Sequence, residues 1–275
     1  MKLGVNTYTM GFAGDTQAKL KLAGAIGFDG IEFQPDNFGF DGDVQSAGDD
    51  AKKVREALAA HKLAPLAVAC DSDFVQPDQK EFDRWVRWGE YCAALSAKLG
   101  LKVVKYFAGE PKPGLSDGQI IDYMIRGSKE LARIGGRYDV AFAEENHGRF
   151  TNRPEVQMRI LKAAGSKRLG VSIDSSNYRW YGHPLADVHR IYREMAPYTL
   201  HVHIKDGDGR GGSMGAYKAT ALGEGELDIA LLLAELAKNN YRGVLILEYE
   251  GSEGEAGVRR SFEYLRKLQA KALKS

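Results

Sequence analysis

Four short segments, AFAEENH, VSIDSSN, LHVHIKD and LILEYEG, each place residues that can hold a metal ion or move a proton at the end of an apolar, strand-like run. Side chains along a strand alternate between its two faces, so parity sorts each segment. Ala141, Ala143 and Glu145 share one face against Val140 and Phe142, and Gly170, Ser172 and Asp174 share one against Val171 and Ile173. His201 and His203 oppose Leu200, Val202 and Ile204, while Ile246 and Glu248 oppose Leu245 and Leu247. An interior face opposite an apolar, helix-covered face is the pattern of a buried parallel strand. The interval from Glu145 to Asp174 equals that from Asp174 to His203, about one strand-helix-strand repeat.

Glu145, Asp174, His203 and Glu248 are therefore read as one group. Three carboxylates and one imidazole make a mixed, moderately hard donor set, suited to one divalent ion: Mn²⁺ first, with Mg²⁺, Co²⁺ or Zn²⁺ as alternatives. His201 has the same parity as His203 and is the competing ligand; the position nearer the strand's C-terminal end favours His203. Each acid has a plainer reading beside this one. Glu145 and Glu248 could pair with Lys or Arg at a strand end, and Asp174 could cap the turn through SSN.

Such ligands converge only if their strands lie side by side and parallel. Along the chain, short β-rich runs (LGVNTY, GIEFQ, LAPLAVACD, VVKYFAG, VAFAEENH, LGVSID, LHVHIKD, GVLILEYEG) alternate with helical patterns. Eight such units joined by right-handed crossovers can close an α/β (β/α)8 TIM barrel, read here as a single domain over 1–275. Gly27, Gly100, Gly135 and Asn240 are expected to stop helices. GDGRGGSMGAYKATALGEGELD is expected to form one long loop after the seventh strand, on the rim where barrel sites sit. Its GEGELD end lacks the GxxxxGK[ST] or strand-to-GxGxxG context of a phosphate site and reads as shaping the turn into a helix.

The chain's 275 residues are enough for one substantial core. A net charge of +1, from 38 basic and 37 acidic residues, gives no global attraction to nucleic acid or an anionic membrane. Cys70 and Cys92 lack metal-site spacing and are expected as free thiols. MKLGVNTYTM has no signal-peptide pattern and no apolar run approaches bilayer length, so a soluble, cytoplasmic protein is expected.

The segments GIEF (Gly30 to Phe33), ENH (Glu145 to His147), Ile173-Asp174, HVHIKD (His201 to Asp206), GEGELD (Gly223 to Asp228) and YRGVLILE (Tyr241 to Glu248) together resemble the xylose isomerase-like, sugar phosphate isomerase/epimerase superfamily of TIM barrels over essentially the whole length. The resemblance implies that Glu145, Asp174, His203 and Glu248 match the metal quartet of ketose 3-epimerases, with Glu145 rather than Glu144 as ligand. It also implies a carbohydrate substrate and a homodimer or homotetramer. The chain departs from those epimerases at three places. Asn177 stands for a His after the Asp ligand, Gly209 (followed by Arg210) for a substrate-contacting Arg, and Thr151 for a second Glu.

The chemistry expected of this arrangement is isomerisation or epimerisation of a sugar, keto-sugar or keto-polyol through proton abstraction and an enediolate, with Glu145 and Glu248 as acid and base. His147, Arg149, Glu32, Asn177 and Lys205 are candidate substrate contacts, each weighed against a supporting or ion-paired role. Lys205 and Asp206 could instead belong to a solvated strand end, and Tyr8, Tyr106 and Trp180 to sugar-facing walls or simple packing. The competing functions are a dehydratase or lyase built on the same enolising site, an apurinic endonuclease-like enzyme needing a histidine-rich zinc cluster, and a non-enzymatic sugar-binding protein. Only six His are present.

Overall fold

The computed structural model describes residues 1–209 and 216–272. Its strands are β1 (Leu3–Asn6), β2 (Gly30–Phe33), β3 (Ala64–Cys70), β4 (Val103–Tyr106), β5 (Ala141–Glu145), β6 (Leu169–Asp174), β7 (Thr199–Ile204), β8 (Asp206–Asp208), β9 (Lys218–Thr220) and β10 (Leu245–Leu247). Eight of them close a barrel in the order β1-β10-β7-β6-β5-β4-β3-β2. The long helices are α1 (Thr16–Ile26), α2 (Ala47–Ala59), α3 (Gln79–Leu99), α4 (Asp117–Tyr138), α6 (Pro154–Ala164), α8 (Leu185–Met195), α9 (Ile229–Lys238) and α10 (Gly254–Ala272). Short helices α5 (Gly148–Thr151) and α7 (Asn177–Tyr181) follow β5 and β6 directly. This is the α/β barrel that the alternation of strand and helix patterns implies.

By packing, the chain divides into two compact units. One comprises Met1–Glu32, Ala57–Leu66 and Ile173–Ser275; the other comprises Phe33–Glu56 and Ala67–Ser172. In the first, β1 pairs in parallel with β2 (Asn6 opposite Glu32) and β10 with β7 (Ile246 opposite His203). In the second, β4 pairs with β5 (Tyr106 opposite Glu144) and β5 with β6 (Glu145 opposite Ser172). Buried Val5, Ile31, Val104, Phe142, Val171, Val202 and Leu247 line the strand faces that alternate with the polar ones. Cys70 and Cys92 are free and buried, and burial followed by a hydrogen bond to the neighbouring Cys70 pushes the Cys92 thiol up.

Helix boundaries follow local signals with one informative exception. Asp15, Asp78, Ser116 and Asp228 cap the starts of α1, α3, α4 and α9 by accepting a backbone N–H, and Ser116 forms a full capping box with Gln119. Gly27 and Gly100 end α1 and α3 in the left-handed conformation, and Asn240 also adopts a positive φ just after α9. Gly135, however, lies inside α4, which stops at Asp139 instead. Its constraint is contact: a Cβ there would sit 2.6 Å from the Val140 carbonyl oxygen as the chain turns into β5. The expected long loop after β7 also contains structure, since β8 and β9 pair antiparallel within it. Arg210 lies outside the described residues.

Gly30 marks the tightest approach on the barrel wall described here, where an added Cβ would lie 2.0 Å from the Ala64 carbonyl oxygen and 2.7 Å from Leu66. Backbone cannot yield as a flexible side chain can, so Gly30→Ala is expected to destabilise the protein by about 1–3 kcal/mol, read as a lowered urea midpoint.

Candidate metal centre

In the first unit the ends of β1, β2, β7 and β10 build a dense polar cluster around Glu32. This carboxylate is fully buried. Oε1 accepts from Asn6 Nδ2 at 2.5 Å and lies 2.6 Å from His203 Nε2, while Oε2 lies 2.7 Å from His201 Nε2. Burial pushes the Glu32 carboxyl up, but His203 and His201 outweigh it and hold it well below the usual range. An ionised carboxylate only accepts, so the Nε2 atoms facing it carry the protons. His203 then turns Nδ1 towards Glu248, whose Oε2 is 2.7 Å away. That arrangement makes His203, not His201, the imidazole with a ring nitrogen directed at a second acid. Of the two readings of Glu32, substrate contact or ion pair, its contacts with the two histidines and Asn6 are those of the second.

Asp174, buried at the end of β6, divides its two oxygens. Oδ1 accepts the Ser176 and Asn177 N–H groups at 2.9 and 3.1 Å, and Oδ2 meets Lys205 Nζ at 3.1 Å. The turn-capping and cluster-forming readings of Asp174 therefore both hold, one per oxygen. Asn177 is buried at the start of α7, joined to the cluster through its backbone. Lys205 is also buried, and its ammonium lies 3.2 Å from Glu248 and 3.1 Å from Glu250. HVHIKD is thus not a solvated strand end.

Beyond β7 the connection supplies Asp206 and Tyr217, and α7 supplies Arg179; the sequence pattern gives no role to the last two. Asp206 accepts the N–H groups of Gly207, Gly223, Gly225 and Leu227, so the backbone donors of GEGELD do cradle an anion, the protein's own. Burial nonetheless leaves the Asp206 carboxyl raised, the four N–H groups opposing it. Tyr217, at the foot of β9, has its phenol pushed up by burial against a hydrogen bond to Ser176, with Asp206 and Asp174 adding to the rise. Arg179 packs against Gly209, where a Cβ would lie 2.9 Å from its Nε, and it donates to Glu226 at 2.6 Å. A guanidinium from α7 therefore stands beside the position where the resembling epimerases carry their own Arg. The only sequence signal for it was the glycine.

In the second unit Glu145 is buried at the end of β5, with Lys105 Nζ 3.3 Å from its Oε2; the same ammonium pairs with Asp71 at 2.8 Å and lies 3.6 Å above the Phe107 ring. Thr151 donates to the backbone carbonyls of Glu145 and His147 and accepts the His147 N–H, tying α5 to the strand end. His147 is exposed, and its Nδ1 lies 3.1 Å from Glu110. Burial lowers its pKa, but Glu110 and Glu145 more than compensate and raise it. Arg149 is exposed too, its guanidinium meeting Asp117 at 3.9 Å, which places it among surface ion pairs. Tyr106 is buried with its hydroxyl on Ser128, so it packs; Tyr8 is exposed.

Among the described residues of the first unit, ligating atoms of Asp174, His203 and Glu248 all lie within 4.8 Å of one another, and so do those of Glu32, His201 and His203. The first set fits a divalent cation on chemical grounds. It offers two buried acids and one imidazole nitrogen whose ring is oriented by a carboxylate behind it. A closed parallel barrel with an acid and imidazole cluster at its strand ends defines a class of proteins that bind small molecules at the C-terminal rim.

The chain belongs to the family described as xylose isomerase-like TIM barrel, whose model matches residues 20–268. Solved structures similar to it include a D-tagatose 3-epimerase-like protein (19% identity, 99% of this chain and 100% of that one, TM-score 0.77). The IolI protein with a bound zinc atom (20%, 98% and 99%, TM-score 0.78) and 3-keto-D-glucoside 4-epimerase from E. coli (16%, 97% and 99%, TM-score 0.73) are similar as well. At these identities the likeness is one of fold. An uncharacterized protein of Methanocaldococcus jannaschii is 25% identical over 134 residues, and the chain spans 44% of that protein's length. Among the described residues no helix is long and apolar enough to cross a membrane.

Glu144, next to Glu145 but on the opposite face of β5, is fully buried and its two carboxylate oxygens have no hydrogen-bond partner. Burial alone raises its pKa well above the ordinary value, so folding favours the protonated form. Its contribution is then fully present below the unfolded pKa and is lost as pH rises towards the folded one. Glu144→Gln is expected to match the parent near pH 4 and to exceed it at pH 8, by about 2–4 °C in Tm for each kcal/mol gained, in paired thermal melts.

Proposed function

We propose that the protein is a divalent-metal-dependent isomerase or epimerase of a sugar, keto-sugar or keto-polyol. The observation that carries this reading is the convergence of Asp174, His203 and Glu248, all buried, within 4.8 Å, with Glu145 assigned to the same ion as the fourth acid. Asp174, His203 and the two glutamates would hold the ion, Mn²⁺ being the first choice for a donor set of this hardness. When bound, the ion supplies polarisation of a substrate carbonyl and neutralisation of the charge that develops on its oxygen.

The chain's own residues account for the remaining steps. One of Glu145 and Glu248 removes the proton α to the carbonyl, and the other delivers a proton to the resulting enediolate. Return to the same carbon from the opposite side inverts it, and delivery to its neighbour interconverts aldose and ketose. Lys205 Nζ, 3.2 Å from Glu248 and 3.1 Å from Asp174, holds both carboxylates by ion pairing, as Lys105 does for Glu145. Asn177 and His147 stand one step away from these acids and are assigned to substrate hydroxyls. The two ligating sets contain only His201 and His203 among histidines, which disfavours a histidine-rich nuclease centre.

Incubation of the Mn²⁺-loaded protein with ketoses, aldoses and inososes in D₂O should give deuterium at one substrate carbon and a product isomeric with the substrate apart from that label. Loss of water or bond cleavage would establish a lyase instead. Glu248→Gln should lower turnover by about 10²–10⁴-fold; full activity in that variant would refute its acid/base role. Glu32→Gln, which removes the charge behind His203, should weaken Mn²⁺ binding by about 10–100-fold, measured by calorimetric titration.

A further inference from the structure

The unit formed by Phe33–Glu56 and Ala67–Ser172 contains a cavity of about 450 Å³, within the usual range for small-molecule sites. Its walls are aromatic. Trp85 and Trp88, one turn apart on α3, face it together with Phe40. Trp88 is fixed from two sides. It stacks on Tyr91 at 5.6 Å between centroids, and the backbone at Gly42, held at φ +86°, comes so close that a Cβ would lie 2.8 Å from the indole. The Trp85 Nε1 donor is buried without an acceptor, an unmet demand that a ligand oxygen would satisfy.

The polar lining selects the ligand's charge. Asp36, Asp41 and Asp71 outnumber Arg84 and Arg87, three acids to two bases, so an anion gains nothing from the net field. Arg84 is already committed, its Nε on Glu81 at 2.9 Å and its guanidinium 4.2 Å from the Trp85 ring centroid. Rigid indole faces match the C–H face of a pyranose, and planar carboxylate and amide groups such as Asp71 and Gln34 accept from and donate to its hydroxyls. The cavity also borders the reacting groups. Asp71 in its wall pairs with Lys105 at 2.8 Å, and Lys105 lies 3.3 Å from Glu145.

We propose that this cavity binds a second, non-reacting sugar ring, so that the substrate is a neutral glycoside whose other ring exchanges its proton at Glu145. The proposal rests on the enolising reading of that site and extends it to substrate class.

Two of the three tryptophans line the cavity, so in a Trp180→Phe background fluorescence reports on it. The Mn²⁺-loaded protein would be titrated with the reducing disaccharides cellobiose, maltose and lactulose, and with glucose, fructose and glucose 6-phosphate, by fluorescence and calorimetry. At least one disaccharide should bind about 10-fold tighter than either monosaccharide. Trp85→Ala should remove that advantage while leaving monosaccharide binding, the D₂O exchange on free sugars and the melting curve unchanged. The proposal is overturned if no disaccharide binds more tightly than the monosaccharides, or if the advantage survives in both Trp85→Ala and Trp88→Ala. It is also overturned if glucose 6-phosphate binds tightest and loses affinity in Arg84→Ala. Disaccharide binding without any deuterium exchange would refute the enolising reading and leave the cavity's ligand established.

Discussion

A carboxylate removed from water must be held by donors or cations, or it will not remain charged. Glu32 meets that requirement with two histidines and Asn6, and the arrangement of the first unit's strand ends follows from it. Because Nε2 of His203 is committed to Glu32, Nδ1 is the nitrogen left for Glu248. Because Glu248 and Asp174 share Lys205, the ends of β6, β7 and β10 are drawn to one ammonium. The cluster is a set of interlocked partners in which removing one leaves its neighbours with less compensation for a buried charge.

Much of this was legible in the sequence because period-two alternation assigns each strand residue to a face, and a barrel interior accepts only one of them. Parity sets Glu145 on the face opposite Val140 and Phe142, equal intervals align Asp174 with His203, and the choice of Glu145 over Glu144 as ligand comes with the family resemblance. The pairing of Glu32 is not legible, because a lone acid at a strand end carries no sign of which histidines it will meet, and one of them, His203, is 171 residues away in the chain. Arg179 and Tyr217 were invisible for a related reason. Their place depends on how a short helix and an irregular connection fold back, and neither has a period.

The glycines show the same division. Gly27 and Gly100 announce helix ends through a backbone conformation that the residue type itself favours, whereas Gly135 and Gly30 are required by neighbours that come too near for a side chain. Composition cannot separate these causes. Gly209 belongs to the second kind, and it records the guanidinium that packs on it.

Asp206 gives the connection after β7 an internal counterpart for its amide donors. In many phosphate-binding loops such donors are satisfied only by the ligand, and the loop's order is then a cost charged against affinity. Here the resident carboxylate meets that demand before any substrate arrives. The rim segment that carries it is preorganised, so binding free energy is left for the substrate's own contacts and does not go into folding the loop around it.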